Sequence, residues 1–178
     1  MTGPDLVVSV REYVDRDFES VYSVINDAAV AFRGVIPDDR WHEPYMPRDE
    51  LEQELADGVR FSCAELAGNL VGVMGFQSKG DVDLIRHAYV KTDLRGRGIG
   101  AVLLGHLEAR SERPILLGTW AVATWAIAFY EKHGYRLVAP EDRDRLLREY
   151  WSIPERQIEE SIVMADARWV ALHAVEGH

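Results

Sequence analysis

Polar and apolar residues alternate near the start of the chain, with Val8 and Val10 set against Ser9 and Arg11. That period predicts an opening strand over Leu6–Tyr13. Beyond Asp17 the period changes to a helical one, and Val21, Val24, Ile25 and Ala28 share one face. Residues Arg33–Pro47 lose both periods and are rich in Pro, Asp and aromatics, which predicts a loop. Leu51 and Leu55 lie one turn apart on a short helix with Gly58 as its C-terminal cap. Val59–Leu66 and Leu70–Phe76 read as strands joined at Gly68-Asn69. A turn at Lys79-Gly80-Asp81 then leads into a strand over Val82–Val90.

The second half alternates helices and strands. A helix is predicted over Ala101–Ser111, with Val102, Leu103 and Leu107 as its buried stripe. Pro114–Thr119 is an apolar strand, and Ala123–His133 a helix ended by Gly134. Strands at Tyr135–Val138 and Ser161–Ala165 finish the order. The charged insertion between them, Glu141–Glu160, has room for a short helix, a second wall of a binding site or a dimer contact; such a charge run is more often a solvated face. There is no internal repeat and no linker. The expectation is one mixed α/β domain over residues 1–178.

Composition narrows the function classes. With 47% hydrophobic and 28% charged residues, the chain is an ordinary globular one, not a disordered or fibrous one. Its net charge of -10 argues against a general nucleic-acid binder, which needs a basic stripe. The single cysteine, Cys63, allows neither an internal disulfide nor a multi-cysteine zinc site. No apolar stretch is long enough to span a bilayer, and no secretory leader pattern opens the chain. A cytoplasmic location without membrane or nucleic-acid partners is expected.

The stretch LRGRGIG, Leu94–Gly100, stands between a predicted strand and a predicted helix. Unpaired amides at a helix start, together with the helix dipole, favour an anion there. Gly96, Gly98 and Gly100 let the backbone approach a ligand closely, and Arg95 and Arg97 add forked cationic donors. Taken alone, such a loop also fits a plain helix-initiating turn with solvated arginines. A Walker A loop would need Gly-Lys-Ser/Thr where the chain has Ile99-Gly100-Ala101. A dinucleotide site would need an acidic residue closing the next strand, where the chain has Gly118-Thr119-Trp120.

Arg95-x-x-Gly98-x-Gly100 resembles motif A of the GNAT (GCN5-related N-acetyltransferase) superfamily. Downstream, Ala126-x-x-Phe129-Tyr130-Glu131-Lys132-x-Gly134-Tyr135 resembles its motif B. The order of elements is similar to that family's over most of the chain. The resemblance implies a GNAT acyl-CoA N-acyltransferase fold, a mixed, mostly antiparallel sheet of about seven strands flanked by helices. It implies acetyl-CoA as cofactor, its pyrophosphate held by Arg95, Gly96, Arg97, Gly98, Ile99, Gly100 and Ala101. Its pantetheine arm and thioester would lie along the backbone of Ala88, Tyr89 and Val90. One departure stands out: many members carry an asparagine where this chain has Ala123.

By the same resemblance, Tyr130 is the expected general acid, its phenol having an ordinary pKa of ~10 that suits proton donation to a leaving thiolate. A tyrosine merely packed on its helix is the alternative. For the base, His87 has the suitable intrinsic chemistry, with Glu65 and Glu43 as weaker candidates. A bulge in the strand would swap which face His87 occupies, so its side of the sheet stays open. Cys63, in a strand interior, reads as a small hydrophobe and not as an acyl-accepting nucleophile. His42-Glu43 begins like a zinc motif, but position 46 is Met46, so no metal is expected. Trp41 and Tyr45 are candidate substrate contacts in the Arg33–Pro47 loop, which reads equally as a lid or as helix-connecting packing.

The reaction expected is direct acetyl transfer to a primary amine of a small molecule in a ternary complex. Protein N-terminal or lysine acetylation, or a non-catalytic acyl-CoA-binding regulatory domain, are the alternatives. A homodimer is a further open expectation.

Overall fold

The change of period at Asp17 marks a boundary between elements in the computed structural model, which describes residues 7–174. β1 (Ser9–Glu12) precedes that boundary and α1 (Phe18–Ala29) follows it. Leu6, the predicted first strand residue, lies outside the described residues. Val21, Val24, Ile25, Ala28 and Ala29 of α1 are buried, the stripe expected of an amphipathic helix. α2 (Arg48–Ala56) ends where the sequence places its cap, with Gly58 at φ +97°. Val59 N–H donates to Glu54 O at 3.0 Å and Gly58 N–H to Leu55 O at 3.2 Å, a Schellman closure. That closure fixes the last turn of α2, and therefore Glu54, against the sheet.

β2 (Arg60–Leu66), β3 (Asn69–Lys79) and β4 (Val82–Val90) form a meander. They are followed by α3 (Ile99–Arg110), β5 (Ile115–Trp120), α4 (Thr124–Lys132) and β6 (Arg136–Leu137). The charged insertion holds two helices, α5 (Pro140–Tyr150) and α6 (Glu155–Glu159), where one was expected. Alternating Leu146 and Leu147 with charges gives α5 a buried edge, so the charge run covers only its outer face. β7 (Ser161–Ala165) and α7 (Ala167–Ala174) complete the described chain.

The seven strands take the order β1-β2-β3-β4-β5-β7-β6 in one sheet. All neighbours are antiparallel except β4 and β5. α3 and α4 cover one face, where Ile99, Leu103, Leu104 and Leu107 meet Met74, Ile85 and Leu117. α1 and α2 cover the other, around Ile25, Leu51, Phe61 and Val73, and α5 continues that cover over Leu84, Leu116 and Val163. Leu103 and Leu107 of the expected stripe are buried. Val102 is a correction: it is 47% exposed, because the inward face of α3 follows the spacing of Ile99, Leu103, Leu104 and Leu107, which Val102 falls outside.

Candidate active site

The site begins with a defect in the sheet. β4 and β5 pair only at Asp83–Ile85 with Ile115–Leu117. Beyond Ile85, β4 bulges. Arg86 pairs with Gly75 and Tyr89 with Val73, so His87 and Ala88 together oppose Met74 alone. His87 absorbs the extra residue at φ +57°, a conformation uncommon for a residue with a side chain. Gly75 makes this geometry possible: a Cβ there would sit 2.3 Å from Arg86 O. The bulge re-aims β4 away from β5 and leaves the Arg86–Val90 backbone edge without a β5 partner.

The bulge also settles which side chains share a face. Ile85, Ala88 and Val90 pack in the α3 cluster, while Tyr89 faces α1 and α2. His87 points toward α2, with its Nε2 3.0 Å from Glu54 Oε2. Simple alternation would have grouped Ile85, His87 and Tyr89.

Two clefts open on the two sides of the gap. The first, about 530 Å³, runs from the glycine loop past Ala88, Tyr89 and Val90 to Phe129 and Tyr130. The second, about 450 Å³, lies under the Arg33–Pro47 loop and the insertion, with Tyr45, Glu54, Trp120 and Trp151 in its walls. Both are lined by Phe32, Ile85, His87, Tyr89, Gly118 and Thr119, so they meet between β4 and β5.

The first cleft ends at the start of α3. Gly96 and Gly98 take φ +73° and +82°, left-handed values that glycine adopts without strain. Gly98 is the N-cap, with no side-chain cap. The leading amides, Gly98 to Ala101, therefore have no helical carbonyl beneath them and present a donor cluster at the positive end of the helix dipole. Gly100 serves packing: its Cα faces the Phe129 ring, and a Cβ would meet that ring at 3.3 Å. Arg95 lines the cleft and donates from Nη2 to Ala28 O at 3.2 Å, which ties the loop to the end of α1. Gly96, Gly98, Ile99, Gly100 and Ala101 line it too; Arg97 is exposed and does not.

Tyr130 is 6% exposed, lines the first cleft, and packs edge-on against Phe129 and Tyr135. Among the described residues its hydroxyl has no hydrogen-bond partner. Burial pushes its phenol above the ordinary tyrosine value, which keeps the proton on at neutral pH. Glu54 is held below the usual carboxylate range. Burial pushes it up, but the His87 hydrogen bond and the charges of His87, Arg86 and Lys79 outweigh that. Arg86 completes a network, donating to Gln77 Oε1 at 3.0 Å while Gln77 Nε2 donates to Asp57 O at 2.9 Å.

The other expected residues are spread out. Tyr45 lines the second cleft, and its hydroxyl accepts from Trp120 Nε1 at 3.4 Å. Trp41 stacks on Tyr45, 5.7 Å between ring centroids, and lines neither cleft. Glu65 is paired with Arg11 at 2.8 Å near the β1 edge, and Glu43 lies exposed beside Arg33, so neither is brought to the gap. Cys63 is fully buried, and burial pushes its thiol up to about 12, as befits a packing residue. Ala123 is buried at the N-cap of α4. Among the described residues no cluster of metal-ligating side chains forms. No helix among them is long and apolar enough to cross a membrane.

Glu54, Tyr89 and Gly75 carry no local signal as strong as the glycine loop. Glu54 sits on the polar side of α2 and becomes part of the site only through the Schellman turn and the bulge. Gly75, an isolated glycine in an apolar strand, did carry the general signal for a bulge or close approach.

A seven-stranded sheet splayed after one parallel pair, with a glycine-led helix at the opening, is an α/β fold that the chain shares with solved acetyltransferases. Residues 57–137 match the family model described as an acetyltransferase (GNAT) domain. An acetyltransferase of the GNAT family from Staphylococcus aureus Mu50 is similar in structure, with TM-score 0.66 and 20% identity over 90% of this chain and 98% of its own. The PaiA N-acetyltransferase of Thermoplasma acidophilum, solved in complex with coenzyme A, has TM-score 0.69 and 15% identity, covering 90% and 99%. The ribosomal-protein-S18-alanine N-acetyltransferase of Escherichia coli has TM-score 0.63 and 18% identity, covering 90% and 93%. No curated protein matches the chain by sequence.

Proposed function

We propose that the chain is an acetyl-CoA-dependent N-acetyltransferase acting on a primary amine of a small molecule in a ternary complex. One observation carries this reading: two clefts of different chemistry meet at the gap between β4 and β5. The first fits coenzyme A. Its leading α3 amides and Arg95 suit a diphosphate, with exposed Arg97 near the rim. The unpaired β4 edge suits the amides of a pantetheine arm, and a relative solved with coenzyme A supports the assignment. Bound there, acetyl-CoA supplies an activated acetyl group and a thiolate leaving group.

The chain's own residues then divide the proton work. Glu54 accepts Nε2–H of His87, which leaves the Nδ1 lone pair to take the proton of the attacking amine. Tyr130, neutral and without a hydrogen-bond partner among the described residues, donates its proton to the departing sulfur. An amide of the Ala88–Val90 edge holds the carbonyl oxygen as charge builds on it. Tyr45 borders the acceptor, with Trp41 bracing it from behind.

A small acceptor is favoured over a peptide because the loop and the insertion that wall the second cleft are tied together. Arg156 of α6 reaches Asp39 of the loop at 2.5 and 3.2 Å, which joins the two walls. A cytoplasmic location is part of the same reading, resting on a single buried cysteine. Release of free thiol from acetyl-CoA with an amine panel tests the activity. A thermal shift with acetyl-CoA tests the cofactor, and no shift at saturation would remove it.

A further inference from the structure

The charged side chains of the second cleft are nearly all spoken for. Asp39 pairs with Arg156, and Glu54 with His87 and Arg86. Arg40, in the Asp38–Arg40 turn of the loop, is the exception among the lining cations. Among the described residues it forms no ion pair, and its Nε is buried without a hydrogen-bond partner. The other such atom, Glu160 Oε2, belongs to a residue outside the lining of this cleft. A guanidinium nitrogen withdrawn from water without an acceptor is costly, and an arriving oxyanion would satisfy it. Glu50 also lacks an ion-pair partner, but it is exposed and screened by solvent.

Phe32, Tyr45, Trp120 and Trp151 also stand in the walls of this cleft, whose lining is on balance polar. Two facts then constrain the acceptor. It must present an amine at the gap near His87, and the cleft offers a forked cation for an anionic group elsewhere on the molecule. The net charge of -10 disfavours approach of an acceptor that is anionic overall, whereas a zwitterion feels little long-range repulsion.

We infer that Arg40 is a specificity-determining residue that receives the carboxylate of an amino-acid-like acceptor, a small zwitterionic amine. This rests on the acetyltransferase reading of the same site. The forked geometry favours a carboxylate, which arginine grips through two parallel N–H donors.

Matched acceptors test it in the thiol-release assay: free amino acids, their amides, and their decarboxylated amines. The free acids should exceed both relatives by about tenfold or more in kcat/KM, the range of a charge-assisted pair. Arg40→Gln should erase that preference through KM for the acids, leaving the amides unchanged, and Arg40→Lys should restore part of it. The acetyl-CoA thermal shift should persist in both variants, which also reports that they fold. Amides, decarboxylated amines or peptides turned over as well as free acids would overturn the inference. So would an equal loss for acids and amides in Arg40→Gln, or coenzyme binding with no carboxylated amine accepted. Failure of the wild-type protein to bind acetyl-CoA would instead remove the acetyltransferase reading beneath it.

Discussion

His87 Nε2 lies 3.0 Å from Glu54 Oε2, and this contact joins the bulge of β4 to the last turn of α2. Both side chains are largely buried, at 18% and 17% exposure. Glu54 is thus a positioning residue for His87, setting its ring orientation and tautomer. Glu54→Gln keeps the shape and removes the charge. It should lower kcat by about tenfold to a hundredfold, part of the ~10²–10⁴-fold that general-base assistance supplies, with KM for acetyl-CoA unchanged. In His87→Ala the same substitution should add almost nothing, because the pair acts as a unit. Additive losses in the double variant would break the proposed coupling.

Gly75 is the position on which the bulge depends. In Gly75→Ala the new Cβ would start 2.3 Å from Arg86 O, so β3 and β4 must move apart or the bulge must shift. A loss of about 2 kcal/mol in urea unfolding is expected, typical of overpacking. Coenzyme affinity should fall as well, since the same bulge frees the β4 edge. Gly105→Ala is the control. It lies within α3 with open space around its Cα and should stabilise by about 0.5–1 kcal/mol. Equal behaviour of the two variants would contradict the role of Gly75.

The fold was legible where one residue type reports on its own segment. The helical stripe of α1, the cap at Gly58 and the glycine loop could all be read locally, because each is fixed by neighbours within about one or two turns. Two motifs in order, the arginine–glycine loop and the segment around Tyr130, carried the resemblance to the family whose model matches residues 57–137. The bulge was anticipated in kind but not in place, since register depends on pairing across strands. Glu54 and Arg40 were not legible at all. Each looks locally like a solvated charge, and only the folded contacts of α2 and of the Asp38–Arg40 turn bring them into the wall of the second cleft. The insertion was legible in part: a helix and a wall of a binding site were among its readings, and residues 147–157 do contribute to the second cleft. The burial of Leu146, Leu147 and Ile158 beneath the charges was hidden by composition.

Gly98 should be intolerant of a branched side chain. At φ +82° a valine is strained whatever the space around it, by about 1–2 kcal/mol. Relief of that strain would rotate the leading amides of α3 out of line. Gly98→Val should therefore lose most of the acetyl-CoA thermal shift, beyond any fall in the melting temperature of the free protein. A full shift in the variant would mean that the loop does not hold the diphosphate.

Tyr130→Phe removes one hydroxyl from the wall of the first cleft. Among the described residues that hydroxyl bonds to nothing, so its loss should leave stability nearly unchanged. As the proposed acid it should cost about a hundredfold or more in kcat, with acetyl-CoA affinity intact. Acyl donors with a better leaving group should be less affected. An unchanged rate would return Tyr130 to a packing role among Phe129 and Tyr135.

The acid stability of the protein should depend on Asp17. Its carboxylate is buried and takes two hydrogen bonds from Arg11, at 2.7 and 2.9 Å, and one from Val14 N–H at 2.8 Å. The Arg11 bonds hold it below the usual carboxylate range; burial opposes them and the Val14 amide reinforces them. A carboxyl depressed in the folded state stabilises the fold fully above its unfolded value of ~3.9 and loses that contribution as pH falls through the folded value. The urea midpoint should thus be level from pH 7 to about pH 5 and fall below about pH 4. Asp17→Asn should begin lower at pH 7, by about 1.5–3 kcal/mol for hydrogen bonds to a charged group, and then fall less steeply on acidification. Parallel acid limbs for the two proteins would show that other carboxylates govern the loss, and that the Arg11–Asp17 clamp between β1 and α1 does not set it.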